Sequence, residues 1–550
     1  MRIGKSLLLV IPMVLAGCVL NEPSSQTTVP TGSNTTSTTS QEPTSTTTTT
    51  TTTTVPVIED PFPAPEQITI DTSGFNEEAI PVNVTMINDF HGQIDEKEDD
   101  YKVGLAKLST YLKQRKRAGD LLIDNGDMYQ GSFLCNYDRG QFVSYAFKHI
   151  NFDAHVIGNH EFDWSDQYIF KNEECLGQKL LGANVYKYPK QNDEWVKSPL
   201  GEEYKIINMY EGTPYEVKVG VVGVIGKSQI TSITSTLAAD YVFLDPTDIV
   251  KSTAMKLRNQ LDCDIVIAAY HDAEPDQSIA DNMPDTDKPY VDMCFKAHTH
   301  KFQYSLYNDV PFIQAGAYSR GAAGVNLTFN KLTGVTTRVD SGYRYLNTLD
   351  LEADPIMVER INAEKEKNKS KYEDIIGYND SGDEMDYDAM SRYYAKLSYD
   401  KAIVEAPQFD IVGAMFNESR TSLKAGAFTY ADLFETHPFL NGIYVFSVSG
   451  SNLNNEIGYS YGYLKPGVTT FEDDEYYDIL LFDYNGMHIG INSNYEKYYN
   501  YFSSAFSVNA KHEPYKLSFN CFELALQKLE TNPHIVQSDF SGEGFFSRTK

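Results

Sequence analysis

Between Val82 and about Tyr345, apolar runs of strand length recur with helical stretches between them. VNVTMIND, LLIDNGD, DAHVIGN, KVGVVGVIG and CDIVIAAYHD read as strands, while GLAKLSTYLKQRKRAG spaces its apolar residues as a basic amphipathic helix does. Such alternation predicts a layered α/β domain with sheet at its centre. Nearly every run ends in Asp, Asn or His, so the pattern gathers polar side chains at one edge of that sheet. The stretch DLEADPIMVERINAEKEKNKSK has a charged helical pattern with sparse apolar positions and predicts a linking helix within 346–371. Residues 372–550 lose the strand-then-acid pattern and turn rich in Tyr, Phe, Asn and Ser, which predicts a second domain of α+β type.

The first 65 residues read differently. Arg2 and Lys5 precede an apolar run from Leu7 to Leu15 that is too short to span a bilayer, so residues 1–18 read as a signal peptide. Leu15-Ala16-Gly17-Cys18 resembles the lipobox of bacterial lipoproteins. That resemblance implies a lipid-modified Cys18 and an extracytoplasmic chain anchored to a bacterial membrane it does not cross. Residues 19–65 are dominated by Thr, Ser and Pro, with nine consecutive threonines at Thr46–Thr54. A segment with so little to bury is expected to form an extended, disordered stalk.

At 550 residues the chain exceeds what one hydrophobic core organises, consistent with two folded units. Its formal charge of -30 argues against nucleic-acid polymers as partners, because their phosphates would be repelled. A small phosphorylated substrate stays possible where local cations reverse the field. Beside Cys18, the cysteines are Cys135, Cys175, Cys263, Cys294 and Cys521. They lack zinc-finger spacing and read as core residues, with at most one or two bridges.

The polar strand ends carry the chemistry. Asp89 and His91 lie two apart at the end of VNVTMIND, where strand geometry would turn both to one face. Asp127 follows a glycine at the end of LLIDNGD, as a hard oxygen ligand would. Gly158-Asn159-His160-Glu161-Phe162-Asp163 sets an amide oxygen, an imidazole and a carboxylate at another strand end, and Asp163 can hold the His160 imidazole charged and oriented. His271 ends a strand, and His298 and His300 follow the next. Imidazole donors suit Zn, Mn, Fe or Co better than Ca or Mg alone.

In this order the blocks DFH, NGDMYQG, GNHEFD, AAYHD and AHTH resemble the calcineurin-like metallophosphoesterases, and within them the secreted 5'-nucleotidase family, over residues 82–345. The resemblance implies a four-layer α/β/β/α sandwich followed by a C-terminal substrate-binding domain. It implies two divalent metal ions, one on Asp89, His91, Asp127 and His300 and one on Asp127, Asn159, His271 and His298. His160 and Asp163 would be the catalytic dyad, with Asn159 also near substrate. In the second domain, SRTSLKAGAFTYADLFETHPFLNGIYVFSVSGSNL aligns Arg420 with a phosphate-binding arginine and Phe439 with a base-stacking ring.

Three departures weaken the nucleotide part. Glu418 stands close to Arg420, where an anion is unwelcome. The segment expected to bring another arginine reads SGDEMDYDAMSRYYAKL, which leaves Arg392 as a possible substitute. No Gly-Gly-Asp-Gly-Phe/Tyr segment is found, and Tyr484 in YYDILLFDYNGMHIGINSNYEKYYNYF is one candidate among several for the second ring. Three readings follow: a nucleotide phosphoesterase, a hydrolase of another small phosphoester such as a nucleotide sugar or cyclic nucleotide, and a catalytically silent surface-binding lipoprotein.

Overall fold

In the computed structural model, residues 57–417 and 419–549 are described. The expected signal peptide, Cys18 and most of the stalk lie outside the described residues, as does Glu418. Two sheets dominate the region after Ile80. The first runs in the order β13-β12-β1-β2-β3, made of β1 (Ile80–Ile87), β2 (Leu121–Asp124), β3 (Ala154–His155), β12 (Gly321–Asn330) and β13 (Val335–Tyr345). The second runs β10-β11-β9-β8-β6-β5, made of β5 (Lys205–Met209), β6 (Val217–Ile225), β8 (Ile265–His271), β9 (Met293–Lys296), β10 (Phe302–Tyr307) and β11 (Val310–Ala315). Strands β4 (Val185–Lys187) and β7 (Tyr241–Phe243) pair by themselves.

Side-chain alternation makes the layers. In β6, Val217, Val219 and Val221 face a core shared with Val82, Val84 and Met86 of β1, while Val222 and Val224 pack with Val250, Ala254 and Leu257 of helix Pro246–Asn259. In β8, Ile265 and Ile267 join the shared core and Val266 and Ala268 the helix side. Leu105, Leu108 and Leu112 of helix Gly104–Arg117 cover the other face of the first sheet with Leu122 of β2. The result is helix, sheet, sheet, helix, as expected for the fold class, with each buried aliphatic side chain contributing about 1.5–3 kcal/mol. Parallel pairing of β1, β2 and β3, and of β6, β8 and β9, turns the carboxyl ends within each sheet the same way. Loops at those ends are where open α/β sheets bind ligands.

The C-terminal part is built on a six-stranded mixed sheet containing Ile411–Phe416, Ile443–Ser449 and Tyr476–Phe482, covered by helix Tyr387–Glu405. Met390, Tyr393 and Tyr394 of that helix share a core with Ala414, Phe416 and Leu480. Helices Pro355–Lys367 and Lys369–Glu373 occupy the expected linking stretch.

Residues 57–65 are not a free end of the stalk. Phe62 is buried against Phe142 and His149, and Asp60 pairs with Lys148. Residues 57–65 of the expected stalk therefore pack on the layered part, because this segment has an aromatic side chain to bury. The cysteines Cys135, Cys175, Cys263, Cys294 and Cys521 are free and buried, so they are core residues without a bridge among them.

Several contacts join the layered and C-terminal parts. Phe133, from helix Phe133–Tyr137, enters the C-terminal core, with Tyr372, Tyr430 and Phe434 at ring-centroid distances of 5.4, 5.6 and 5.5 Å. On another face, the hairpin of Ile489–Ile491 and Lys497–Tyr499 reaches back, where Lys497 Nζ donates to the carbonyls of Ala238 and Ala239 and the Asp245 N–H donates to Tyr495 Oη. We expect Phe133→Ala to cost about 3–5 kcal/mol in chemical denaturation, by emptying a packed aromatic site. Tyr101→Ala, at a residue 64% exposed, is the control and should stay within about 0.5 kcal/mol. Equal effects would contradict this role of Phe133.

Candidate active site

Five of the expected metal ligands share an unusual backbone. Asp89, His91, Asp127, His298 and His300 have φ of 51°, 50°, 54°, 74° and 59°, in the left-handed region that non-glycine residues seldom occupy. Strain of this kind costs of order 1–3 kcal/mol per residue and collects at functional sites. It also changes the reason that Asp89 and His91 converge. Strand β1 ends at Ile87, so the two side chains meet through a left-handed turn rather than through strand alternation. The same holds for His298 and His300 beyond the end of β9 at Lys296.

The turns lock together. The N–H groups of Asp89, His91 and Gly92 donate to the carbonyls of Gly126, Asp127 and Met128, and the His298 N–H donates to the Asp89 carboxylate at 3.0 Å. Gly158 must be glycine, because a Cβ there would lie 2.3 Å from Asp127 Oδ1. At Gly126 a Cβ would meet His271 Nδ1 at 2.6 Å, and φ is +89°.

All seven expected ligands come together. His91 Nδ1 lies 3.3 and 3.2 Å from the carbonyls of Tyr129 and Gln130, and His271 Nδ1 lies 2.8 Å from that of Asn125. Donation to these carbonyls fixes each Nε2 as the free lone pair. His91 Nε2 then faces His300 Nε2 at 2.9 Å, His271 Nε2 faces Asp127 Oδ2 at 3.2 Å, and His298 Nδ1 lies 3.0 Å from Asn159 Oδ1. Donors sharing one cation at bond lengths of about 2.0–2.2 Å stand about this far apart. Buried lone pairs turned toward one another are the fit expected of a cation site. The donors group as Asp89, His91 and His300, and as Asp127, His271 and His298.

Burial sets the charge pattern. It pushes the His91 imidazole well below its ordinary pKa, helped by the Arg420 charge, and it brings His300 down to about 3. Burial also raises the Asp89 carboxyl to about 7. Burial opposes charge on His271 too, but Asp127 outweighs it and lifts that imidazole to about 10. Protons held between Asp127 and His271 are therefore what a cation would displace.

His160 and Asp163 form a pair at 2.7 Å, Nδ1 to Oδ2. Burial disfavours the imidazolium, yet Asp163 and Asp127 prevail and raise its pKa. Arg420 lies with its guanidinium carbon 5.8 Å from the ring centroids of both Tyr318 and Phe439, and Phe439 faces His160 at 6.2 Å. His160, Arg420 and Phe439 border a cavity of about 670 Å³ whose wall also includes Asn159, Asp163 and His298 from the layered part and Tyr484 from the C-terminal part. Arg392 does not replace a missing phosphate ligand: it donates to the Phe540 carbonyl and to Ser547.

Three residues were missed from the sequence. Glu161 accepts N–H groups of Asp127, Met128 and Gly158 at 3.0, 2.9 and 2.6 Å, clasping two ligand loops, while burial raises its carboxyl to about 8. Asn88 donates to the Asp89 carboxylate at 2.5 Å and accepts the Ala315 N–H at 3.0 Å. Tyr318 stacks on His91 at 5.0 Å. Only Glu161 left a signal, as an acid inside an otherwise ligand-bearing block.

Residues 82–302 match the family model of calcineurin-like phosphoesterases. The chain carries a calcineurin-like phosphoesterase domain. That match supports a metal-dependent phosphoester hydrolase. An apyrase from Tabanus yao is 25% identical over 423 residues, 68% of this chain and 72% of that protein. Bovine 5'-nucleotidase is 29% identical over 258 residues, 44% of this chain and only 42% of the relative. The structure of a 5'-nucleotidase precursor from Thermus thermophilus superposes with a TM-score of 0.65, covering 85% of this chain and 98% of its own at 15% identity, a likeness of fold.

Proposed function

We propose that this phosphoesterase hydrolyses nucleoside 5'-monophosphates or related nucleotides to nucleoside and phosphate, outside the cytoplasm. The observation that carries the reading is one cavity bordered by two of the metal-ligand candidates, Asn159 and His298, together with the His160–Asp163 pair, Arg420 and Phe439. Residues 82–345 are the catalytic domain, 346–371 the linking helix and 372–550 the substrate-binding domain. Asp89, His91, Asp127 and His300 hold one divalent cation, and Asp127, Asn159, His271 and His298 a second, drawn from Zn, Mn, Fe or Co. Bound there, the cations would draw charge from the phosphoryl oxygens and acidify an attacking water. As the water oxygen bonds to phosphorus and the ester P–O bond breaks, the departing oxygen takes a proton from His160, which Asp163 orients. Arg420 pairs with phosphoryl oxygens, Asn159 lies beside them, and Phe439 packs on the base.

Localisation rests on the sequence of residues 1–18, with Cys18 as the lipid anchor. Among the described residues, no helix is long and apolar enough to cross a membrane. The names of relatives, apyrase and 5'-nucleotidase, support nucleotides as the substrate class. A nucleotide sugar or cyclic nucleotide is the second reading, favoured by the 489–499 hairpin, which docks on the layered part where the family resemblance implies a second stacking ring.

A phosphoester panel with the Mn- or Zn-loaded chain tests this. AMP should be cleaved with a higher kcat/KM than UDP-glucose or a cyclic nucleotide. The reverse order would transfer the proposal to the second reading, and no cleavage of any ester by a metal-loaded chain would leave a binding lipoprotein.

A further inference from the structure

The loop that carries Asp127 brings a second polar side chain to the cavity. Gln130 is fully buried, and neither its amide nitrogen nor its amide oxygen has a hydrogen-bond partner. Leaving a buried polar atom unpaired costs about 1–3 kcal/mol, so two on one side chain are a large standing cost. The residue is held in the left-handed region at φ 66°, and its own carbonyl lies 3.2 Å from His91 Nδ1. Gln130 borders the 670 Å³ cavity together with Arg420, whose Nη2 is likewise buried without a partner. Two donor-bearing side chains, one neutral and one cationic, thus reach the same cavity with unused hydrogen-bonding capacity.

We propose that Gln130 is a substrate-binding residue whose carboxamide N–H donates to a phosphoryl oxygen beside His91, sharing the group with Arg420. The assignment rests on the phosphoesterase reading of the site. Its carbonyl oxygen is then placed to accept from a hydroxyl, either of a monoprotonated phosphate or of the alcohol portion of the ester. A neutral amide suits this place, since it binds an oxyanion without adding a second cationic side chain beside Arg420 in the cavity.

Inorganic phosphate is the probe, titrated calorimetrically into the Mn-loaded full chain, so that the readout does not depend on turnover. Gln130→Ala should weaken phosphate binding by roughly tenfold, the scale of a hydrogen bond to a charged group. Gln130→Asn should recover part of the loss, because asparagine tolerates the left-handed backbone and keeps an amide. Metal content should equal that of the unmodified chain in both. Phosphate affinity unchanged in Gln130→Ala would overturn the proposal and assign the unpaired atoms to resident water. Loss of manganese from both variants would also overturn it, making Gln130 a support of His91. If the unmodified chain binds phosphate yet cleaves no phosphoester, the proposed function fails while the Gln130 result stands on its own.

Discussion

Asp127→Ala is expected to remove both cations together and reduce turnover to background. Asp127 Oδ2 lies 3.2 Å from His271 Nε2 and 4.0 Å from His91 Nε2, so one carboxylate faces the histidines of both donor groups. Its other oxygen accepts the His160 N–H at 2.9 Å, which ties the third ligand loop to the second. Glu161 cannot take over, because it is spent on three backbone N–H groups. The fold should survive, since its cores lie between and outside the sheets. Metal analysis after gel filtration should fall from about two equivalents to less than one, the number expected of a shared bridging ligand. Thermal denaturation would confirm a folded chain. Retention of both cations would dismiss Asp127 as the bridge.

Much of this arrangement was legible because strand parity is a local property. The alternation in KVGVVGVIG and CDIVIAAYHD separates inner from outer side chains, and the polar residue ending each run reports the sheet edge. The candidate ligands were readable from residue type and order. Their geometry was not. Side chains two apart do share a face in a strand, but Asp89 and His91 stand beyond the strand, and left-handed turns at five positions do the converging. Those turns depend on loops paired across the site, such as Asp89 N–H to Gly126 O, which no short window of sequence contains. Asn88 and Tyr318 were hidden for a related reason: Asn88 is tied to the distant Ala315 N–H, and Tyr318 stacks on the distant His91 ring.

The relation between the two parts was less legible still. Phe133 precedes the C-terminal part by more than 200 residues, yet it is a core residue of that part. Asn136 in the same helix accepts the Gly131 N–H at 2.8 Å and donates to the Pro438 carbonyl at 3.3 Å, one residue before Phe439. A metal-bearing loop and a substrate-facing ring are thereby linked through one side chain. The segment that the family resemblance assigns to a second stacking ring contributes Tyr484 to the cavity and then leaves it as a docking hairpin. Sequence comparison could register the missing glycines there but not the new contact surface that replaced them.

His160→Ala should lower kcat by roughly 10²–10⁴-fold, the usual contribution of a positioned acid, with both cations retained. The 2.7 Å contact to Asp163 occupies Nδ1 and leaves Nε2 as the proton-bearing atom available to substrate. Asp163 and Asp127 raise the imidazole pKa despite its burial, which keeps the proton in place until the leaving oxygen needs it. His160 also lies near His91 and Asp127 in a third donor group, so a ligand role is the competing explanation. Two measurements separate the roles. A ligand would take a cation with it when removed, whereas an acid would not. An acid also matters less when the leaving group is stable without a proton: the loss of kcat should be much smaller with p-nitrophenyl phosphate than with a nucleoside monophosphate. Asp163→Asn should reproduce that dependence on leaving group in weaker form, because the imidazole stays while its orientation and charge slacken. An equal loss on both esters, accompanied by a missing cation, would move His160 from proton donor to metal ligand.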